Sequence, residues 1–394
     1  MKKLLVVLMM ILLVGCKADN IGKVKIMTAS DLHYLDSSLY DDGDLFKLVL
    51  ENGDGKITEY SEVLVDALIQ RTIEERPDVL VLTGDVSFNG EHISHESLAA
   101  KLKKIEDEGI DVVVLSGNHD VMERAVKYHG GDYEYIETIN SPMFAQIYED
   151  YGYNQYYSKD PNSNTIIYQI NNGFRIICLD ANYDYKCFVS DATIAWLKDE
   201  LEKAKNNNIK MISFSHQNLV KQSDAFDYGY VINSADKINE LYKKYGVPVN
   251  FSGHMHIQHV TNGENIDEVL TESMSLYQTH YGIIEVDKEG VNYHTKSLDI
   301  PGFAKEHGLS DPQVLDFDNY SYERFMSTNS HKAAGNFEDE DLMRFLGTLN
   351  LMYFTGELDA FAVPEEYKDV DSYYLKRIMA EEGNNYNTFS VKWN

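Results

Sequence analysis

Basic residues, long apolar runs and cysteine are all in short supply in this chain, and each shortage argues against a class of function. The 394 residues include 35 Lys and Arg against 64 Asp and Glu, for a formal charge of −29. That balance argues against nucleic-acid binding as the main role, since a phosphate backbone has to be met by a basic face. A phosphate handled by so acidic a chain needs local neutralisation, which bound cations would provide. The apolar run Leu4 to Val14 is eleven residues long, and a membrane-spanning helix needs about 20. Cysteine occurs three times, at Cys16, Cys178 and Cys187. Cys178 lies inside the apolar stretch Phe174 to Leu179, where a buried free thiol is the commoner state. A Cys178–Cys187 bridge stays open as the alternative, within the strict limit on Cα separation.

What is present begins with a leader pattern. Met1-Lys2-Lys3, the apolar run and Gly15-Cys16 describe an export signal. Leu13-Val14-Gly15-Cys16 resembles a bacterial lipobox. Residues 1–15 are then expected to be a signal peptide, with lipid on Cys16 and residues 16–22 as a short tether. That places the protein at the cell membrane, on its extracytoplasmic face. An ordinary secreted protein with an accidental cysteine is the alternative. Net negative charge repels anionic lipid, so the acyl chain would be the membrane contact.

The pattern after residue 23 alternates. Val24 to Ala29, Asp78 to Thr83 and Ile110 to Leu115 read as strands, the last two buried on both faces. Glu59 to Glu75 has a helical period and is ended by Pro77. Ser94 to Glu108 reads as a second helix, with Ser94 as cap and Gly109 as terminator. This is βαβαβ, hence a parallel sheet with right-handed crossovers. Asp36 to Asp54 reads as an acidic loop. Within it Gly53-Asp54-Gly55 suggests a calcium loop, but Leu50 and Ser61 would fall where that loop needs acids, so a tight turn is expected. From Val121 to Asn164 an irregular, aromatic excursion with short helices is expected. Strands follow near Thr165 to Ile170, Arg175 to Leu179, Lys210 to Ser215 and Pro248 to Ser252, then a hairpin from Gly282 to Ser297. The expected fold class is α/β, with two stacked mixed sheets flanked by helices over residues 23–300. Past Pro301 strand signals vanish. Residues 301–394 are expected to form a small helical domain without a cluster that suggests chemistry.

Five short motifs in that frame carry metal-ligand chemistry: Asp31-Leu32-His33, Gly84-Asp85, Gly117-Asn118-His119-Asp120, His216, and Gly253-His254-Met255-His256. Each alone has a plain structural reading, as a cap, a turn or a buried histidine. All sit at or just past the carboxyl ends of strands, where an open α/β sheet has its crevice. Carboxylate, imidazole and amide oxygen suit manganese, iron or zinc, and the lack of thiolate argues against a structural zinc site. Two ions about 4 Å apart can make hydroxide from water and clamp phosphoryl oxygens.

From about Val24 to His259 these motifs resemble the calcineurin-like metallophosphoesterase superfamily. The resemblance implies a first ion held by Asp31, His33, Asp85 and His256, and a second held by Asp85, Asn118, His216 and His254, with Asp85 shared. It implies His119 as general acid or phosphate-orienting residue, and Asp120 standing behind the ligands to fix a histidine tautomer. Ser30-Asp31-Leu32-His33-Tyr34, Gly53-Asp54-Gly55-Lys56, Gly84-Asp85-Val86-Ser87-Phe88-Asn89-Gly90-Glu91, Ser94-His95 and Gly253 to Gln258 are similar to class III cyclic-nucleotide phosphodiesterases and related lipoproteins. The implied activity is hydrolysis of a small phosphodiester by two divalent or trivalent ions. An extracellular phosphomonoesterase or nucleotidase, and a non-catalytic lipid-anchored binding protein, are the alternatives. Asn89 and His92 could touch substrate or shape a loop, and His95 is expected to cap or flank its helix. Tyr133, Tyr135, Tyr183 and Tyr185 could stack on a base, or simply pack.

Overall fold

The computed structural model describes residues 21–222, 229–334, 340–368 and 373–393. The expected signal peptide, Cys16 and most of the tether lie outside the described residues. The chain opens with β1 (Val24–Ala29), α1 (Asp44–Asn52), α2 (Ser61–Glu75), β2 (Val79–Leu82), α3 (His92–Glu106) and β3 (Asp111–Val114). A hairpin of β4 (Val126–His129) and β5 (Asp132–Tyr135), helix α4 (Ser141–Ile147) and the short β6 (Ser158–Lys159) make up the irregular excursion. Then come β7 (Ile166–Asn171), β8 (Phe174–Leu179), α5 (Asp191–Asn206), β9 (Lys210–Ser215), α6 (Ala235–Tyr245), β10 (Val249–Ser252), β11 (His259–Asn262) and β12 (Asp267–Leu270). The hairpin β13 (His280–Val286) and β14 (Gly290–Ser297) leads to α7 (Ile300–Glu306), α8 (Pro312–Leu315), α9 (Phe317–Ala334), α10 (Glu340–Thr355), α11 (Tyr373–Met379) and β15 (Thr388–Lys392).

Two mixed sheets result. One runs β15-β14-β13-β1-β2-β3, the other β11-β12-β10-β9-β8-β7-β6. The β1, β2 and β3 pairings are parallel, as the βαβαβ pattern requires. Strand alternation sorts the second sheet's side chains between two cores. Phe174, Ile176 and Cys178 of β8 join a core shared with Ile26, Met27 and Val81 of the first sheet. Ile177 and Leu179, their neighbours, instead pack on Leu197, Leu201 and Ile238 of α5 and α6. Burying an aliphatic or aromatic side chain of this size contributes roughly 1.5–3 kcal/mol, so both faces of β8 are committed and its register cannot slip.

The structure departs from the sequence reading at several points. The acidic stretch 36–54 contains a helix, α1, which buries Phe46 against Tyr128 of the hairpin. The second helix starts at His92 rather than beyond Ser94. Ser94 is buried inside it and accepts from the Asp36 amide. The region after 301 is not wholly helical: β15 closes the edge of the first sheet against β14. On the cysteines the structure agrees with that reading: Cys178 and Cys187 are free thiols. Burial raises the Cys178 pKa and pushes Cys187 up to about 11, so neither is a ready thiolate.

Candidate metal centre

The carboxyl ends of β1, β2, β3, β9 and β10 carry all five motifs. The chain turns sharply as it leaves these strands, and five of the expected ligands pay in backbone geometry. Asp31 (φ 53), His33 (φ 44), Asp85 (φ 47), His254 (φ 66) and His256 (φ 58) all lie in the left-handed region, which costs a non-glycine residue about 1–3 kcal/mol. Glycines beside them allow the close approach. A Cβ on Gly117 would sit 2.1 Å from Asp85 Oδ1, and one on Gly253 would sit 2.4 Å from Asp31 Oδ2.

These turns gather the ligands into two adjoining groups. Asp31, His33, Asp85 and His256 each offer one ligand atom, all within 4.8 Å of one another, and Asp85, His216 and His254 do the same. His33 Nε2 lies 3.1 Å from His256 Nε2, which lies 3.2 Å from Asp31 Oδ1. His216 Nε2 is 3.3 Å from Asp85 Oδ2 and 3.1 Å from Asn118 Oδ1. Surrounding groups aim these atoms. His216 Nδ1 donates to the Thr83 carbonyl at 2.9 Å, leaving Nε2 toward the centre. His254 Nε2 lies 2.9 Å from the Gly229 carbonyl and therefore carries the proton there, leaving Nδ1 as its ligand nitrogen. Ser30 Oγ and the His254 amide donate to Asp31 Oδ2, and the His119 amide donates to Asp85 Oδ1.

Charge in the centre is tightly coupled. Burial opposes ionisation of Asp85, but the His216 charge and hydrogen bond outweigh it and hold the carboxyl well below its usual range. Burial likewise opposes a charged His216, yet Asp85 pushes it up to about 9. His33 is driven well below the usual imidazole range by burial and then by the nearby Lys56 charge. Burial and the His216 charge push His254 down to about 4. Neutral imidazoles and ionised carboxylates are the forms that bind metal.

The residues fit a pair of cations. Asp31 Oδ1 is buried without a hydrogen bond, although His256 Nε2 lies 3.2 Å away, and an unsatisfied buried carboxylate oxygen is costly unless something positive meets it. Carboxylates, imidazoles and one amide oxygen form a donor set for manganese, iron or zinc.

Around the ligands the structure sorts the remaining candidates. His119 packs edge-on to His33, ring centroids 5.2 Å apart. Its Nδ1 donates toward the Phe88 carbonyl and Asn89 Oδ1, at 3.1 and 3.0 Å, which turns Nε2 away from that loop. Asn89 thus acts through His119. Asp120 meets a histidine through its carbonyl, at His95 Nε2, and not through its carboxylate, and that histidine is not one of the candidate ligands. Its carboxylate accepts from the amides of Val86, Ser87 and Gly117 and from Ser87 Oγ, tying the Asp85 loop to the Asn118 loop. Burial and the Asp85 charge push it up to about 6. His95 is buried within α3 and bridges Tyr148 Oη and the Asp120 carbonyl. His92 lies between Glu96 and Glu137 at the surface.

A cavity of about 420 Å³ opens over the centre, lined by Asp85, Asn118, His119, His254 and His256 on one side. Its aromatic wall is Tyr230, Tyr353 and Phe354, not the tyrosines singled out from the sequence. Tyr133, Tyr135 and Tyr185 are 46, 66 and 70% exposed, and neither they nor Tyr183 line it. Lys56, Asn329, Tyr353 and Phe354 were not legible as site residues, because their motifs carry no ligand signal and three belong to the C-terminal helices. Gln217 was missed as well. Its amide donates to Asn118 Oδ1 at 3.4 Å and to Asn182 Oδ1 at 2.9 Å, bracing the amide ligand.

Carboxylates and imidazoles converging at the strand ends of two stacked sheets define a metal-dependent hydrolase. A family model for calcineurin-like phosphoesterases matches residues 24–258, and the chain belongs to that family. A curated relative from Arcobacter nitrofigilis, "Probable glycerophosphodiester phosphodiesterase GpdQ", is 22% identical over 242 residues, 60% of this chain and 78% of the relative. Among solved structures, a dimetal phosphatase from Danio rerio has a similar fold at a TM-score of 0.50 and 11% identity. That match covers 70% of this chain and 96% of the phosphatase.

Proposed function

We propose that this phosphoesterase hydrolyses small phosphodiesters at a two-metal centre, with His119 protonating the departing oxygen. The observation that carries the reading is the position of Asp85. It belongs to both ligand groups and accepts the amide of His119, the residue whose ring borders the same cavity. Cations held by Asp31, His33, Asp85, Asn118, His216, His254 and His256 would neutralise phosphoryl charge and acidify water. The chain's own contribution is placement. Phe88 and Asn89 fix the His119 ring through its Nδ1 proton, so a proton passed to the leaving group is the second one, carried on Nε2 of the doubly protonated ring. The diesterase preference is supported by the named activity of the Arcobacter nitrofigilis relative.

Asp85→Asn tests the reading. Loss of the shared carboxylate should lower metal content and abolish turnover of an aryl phosphodiester. Retention of both metals and turnover would overturn it. A side-by-side assay on 3′,5′-cyclic AMP, 2′,3′-cyclic AMP and 5′-AMP separates diesterase from monoesterase, and a preference for 5′-AMP would replace the first activity with the second.

A further inference from the structure

The turn between α1 and α2 reaches the metal cavity, and the C-terminal helices hold it there. Asp54 (φ 59) and Gly55 (φ 87) both adopt left-handed backbone, and the Lys56 amide donates back to the Gly53 carbonyl at 3.0 Å. The turn is then fixed at three points. Ile57 is fully buried and its amide donates to the Ser275 carbonyl at 2.9 Å. Asn329 of α9, itself 5% exposed, donates through Nδ2 to the Asp54 carbonyl at 3.2 Å. Gly55 lies so close to α9 that a Cβ there would be 3.0 Å from Asn329 Nδ2 and 3.4 Å from Phe325 Cα. A strained turn this firmly clamped needs a reason at the point it presents.

That point is Lys56. It lines the cavity together with Asp85, Asn118, His119, His254 and His256. Among the described residues lining that cavity, it is the lone side chain with a permanent positive charge. In a chain of charge −29, a lysine lining the cavity over the candidate metal centre stands out against the local field.

We propose that Lys56 is a substrate-binding residue whose ammonium takes a non-bridging oxygen of the substrate's phosphate, and that α9 positions it through Asn329. This rests on the phosphoesterase reading above. It gives the C-terminal region a part in the site: the helices supply one cavity wall and hold the cation that grips the anion.

The test uses the full, metal-loaded chain. Four quantities are measured for the parent, Lys56→Ala, Lys56→Arg, Asn329→Ala and the Lys56→Ala/Asn329→Ala pair. They are inorganic phosphate affinity by calorimetry, kcat/KM on bis(p-nitrophenyl) phosphate, metal content and thermal midpoint. Lys56→Ala should weaken phosphate binding and lower kcat/KM by about tenfold or more, the effect of one charge-assisted hydrogen bond, with metal content and midpoint as in the parent. Lys56→Arg should recover most of the phosphate affinity. Asn329→Ala should lose part of it, and the double variant should be no weaker than Lys56→Ala alone. Unchanged phosphate affinity in Lys56→Ala overturns the proposal, as does a loss that tracks departing metal or that arginine does not repair. A parent that binds phosphate but cleaves no ester would instead sink the phosphoesterase reading, and the phosphate arm would still judge Lys56.

Discussion

Gly117→Ala is a demanding test of the site geometry, because it adds one methyl group and removes no ligand. Gly117 has an ordinary backbone angle, so alanine adds no backbone strain there. The conflict is steric alone. The new Cβ would lie 2.1 Å from Asp85 Oδ1 and 2.2 Å from the Asp85 amide nitrogen, where ordinary contact begins at 3.4 Å. Relief requires the Asp85 carboxylate and the Asn118 loop to separate by about 1 Å, yet a working metal site tolerates only about 0.5 Å. Neither loop moves easily, since Asp120 binds the amides of Val86, Ser87 and Gly117 together. Overpacking of this kind costs about 1–3 kcal/mol of stability. Displacing a shared ligand should cost at least the 10–100-fold in metal affinity seen when supporting groups are lost. Elemental analysis after dialysis against a metal buffer, with the thermal midpoint of the metal-free form, reads both effects. A Gly117→Ala protein that keeps two ions at parental affinity and parental turnover would show that Asp85 and Asn118 do not face one centre.

Two further outcomes follow from single groups. His119→Ala should keep both ions and lose about 10²- to 10⁴-fold in turnover, with a larger loss on an alkyl diester than on a nitrophenyl one; equal losses would remove the proton-donor role. Glu272 is fully buried with His280 Nδ1 2.7 Å from its carboxylate, and burial, despite His280, pushes it up to about 7 from an ordinary 4.5. The folded chain then holds a proton that the unfolded chain releases between those values. Its stabilising share is full below about pH 4.5 and disappears as pH rises through 7, a change on the order of 1–3 kcal/mol. Denaturant midpoints of Glu272→Gln from pH 5 to 8 should lack that decline, and a parallel decline in the variant would assign it elsewhere.

The parts of the fold that could be read from sequence are those in which local pattern and burial agree. Val79–Leu82 and Asp111–Val114 are near-continuous Val and Leu because helices cover the sheet, and the parallel pairing follows. The clustering of the candidate ligands could be read because metal chemistry restricts residue type and their place at strand ends brings them together. Where stability comes from distant partners, local pattern said little. Glu268 in β12 is buried only because Leu219, Val220, Asn250 and Ser252 all donate to its carboxylate. A strand reading Asp-Glu-Val-Leu gives no hint of that. β15 alternates exposed and half-buried residues as an edge strand does, and it comes after a run of helices in sequence. The docking of α9 and α10 over the cavity depends on side chains such as Arg324 meeting Glu59 and Asn329 meeting the Asp54 carbonyl, pairings between residues more than 260 positions apart.

The left-handed ligands raise the question of what holds the centre in shape. Five residues at about 1–3 kcal/mol each amount to roughly the whole stability of an ordinary domain, and Asp31 Oδ1 and His33 Nδ1 add unmet polar groups at the same spot. The sheets supply rigid ends, and donors such as Ser30, Ser273 and the His119 amide brace the turns. Those braces satisfy Asp31 Oδ2 and Asp85 Oδ1 but leave Asp31 Oδ1, on the side of His33 Nε2 and His256 Nε2, without a hydrogen bond. A cation would meet that oxygen, so the site should be a place where ligand binding and folding are strongly linked. At a hundredfold excess over Kd each ion adds about 2.7 kcal/mol, enough to move the thermal midpoint by several degrees. Stripping with a chelator should therefore lower the midpoint markedly, re-addition of manganese or zinc should restore it, and Asp85→Asn should blunt the response to either. A midpoint indifferent to metal in the parent would mean that the strained turns are stable unaided, and the inference from unmet atoms to bound cations would fail with it.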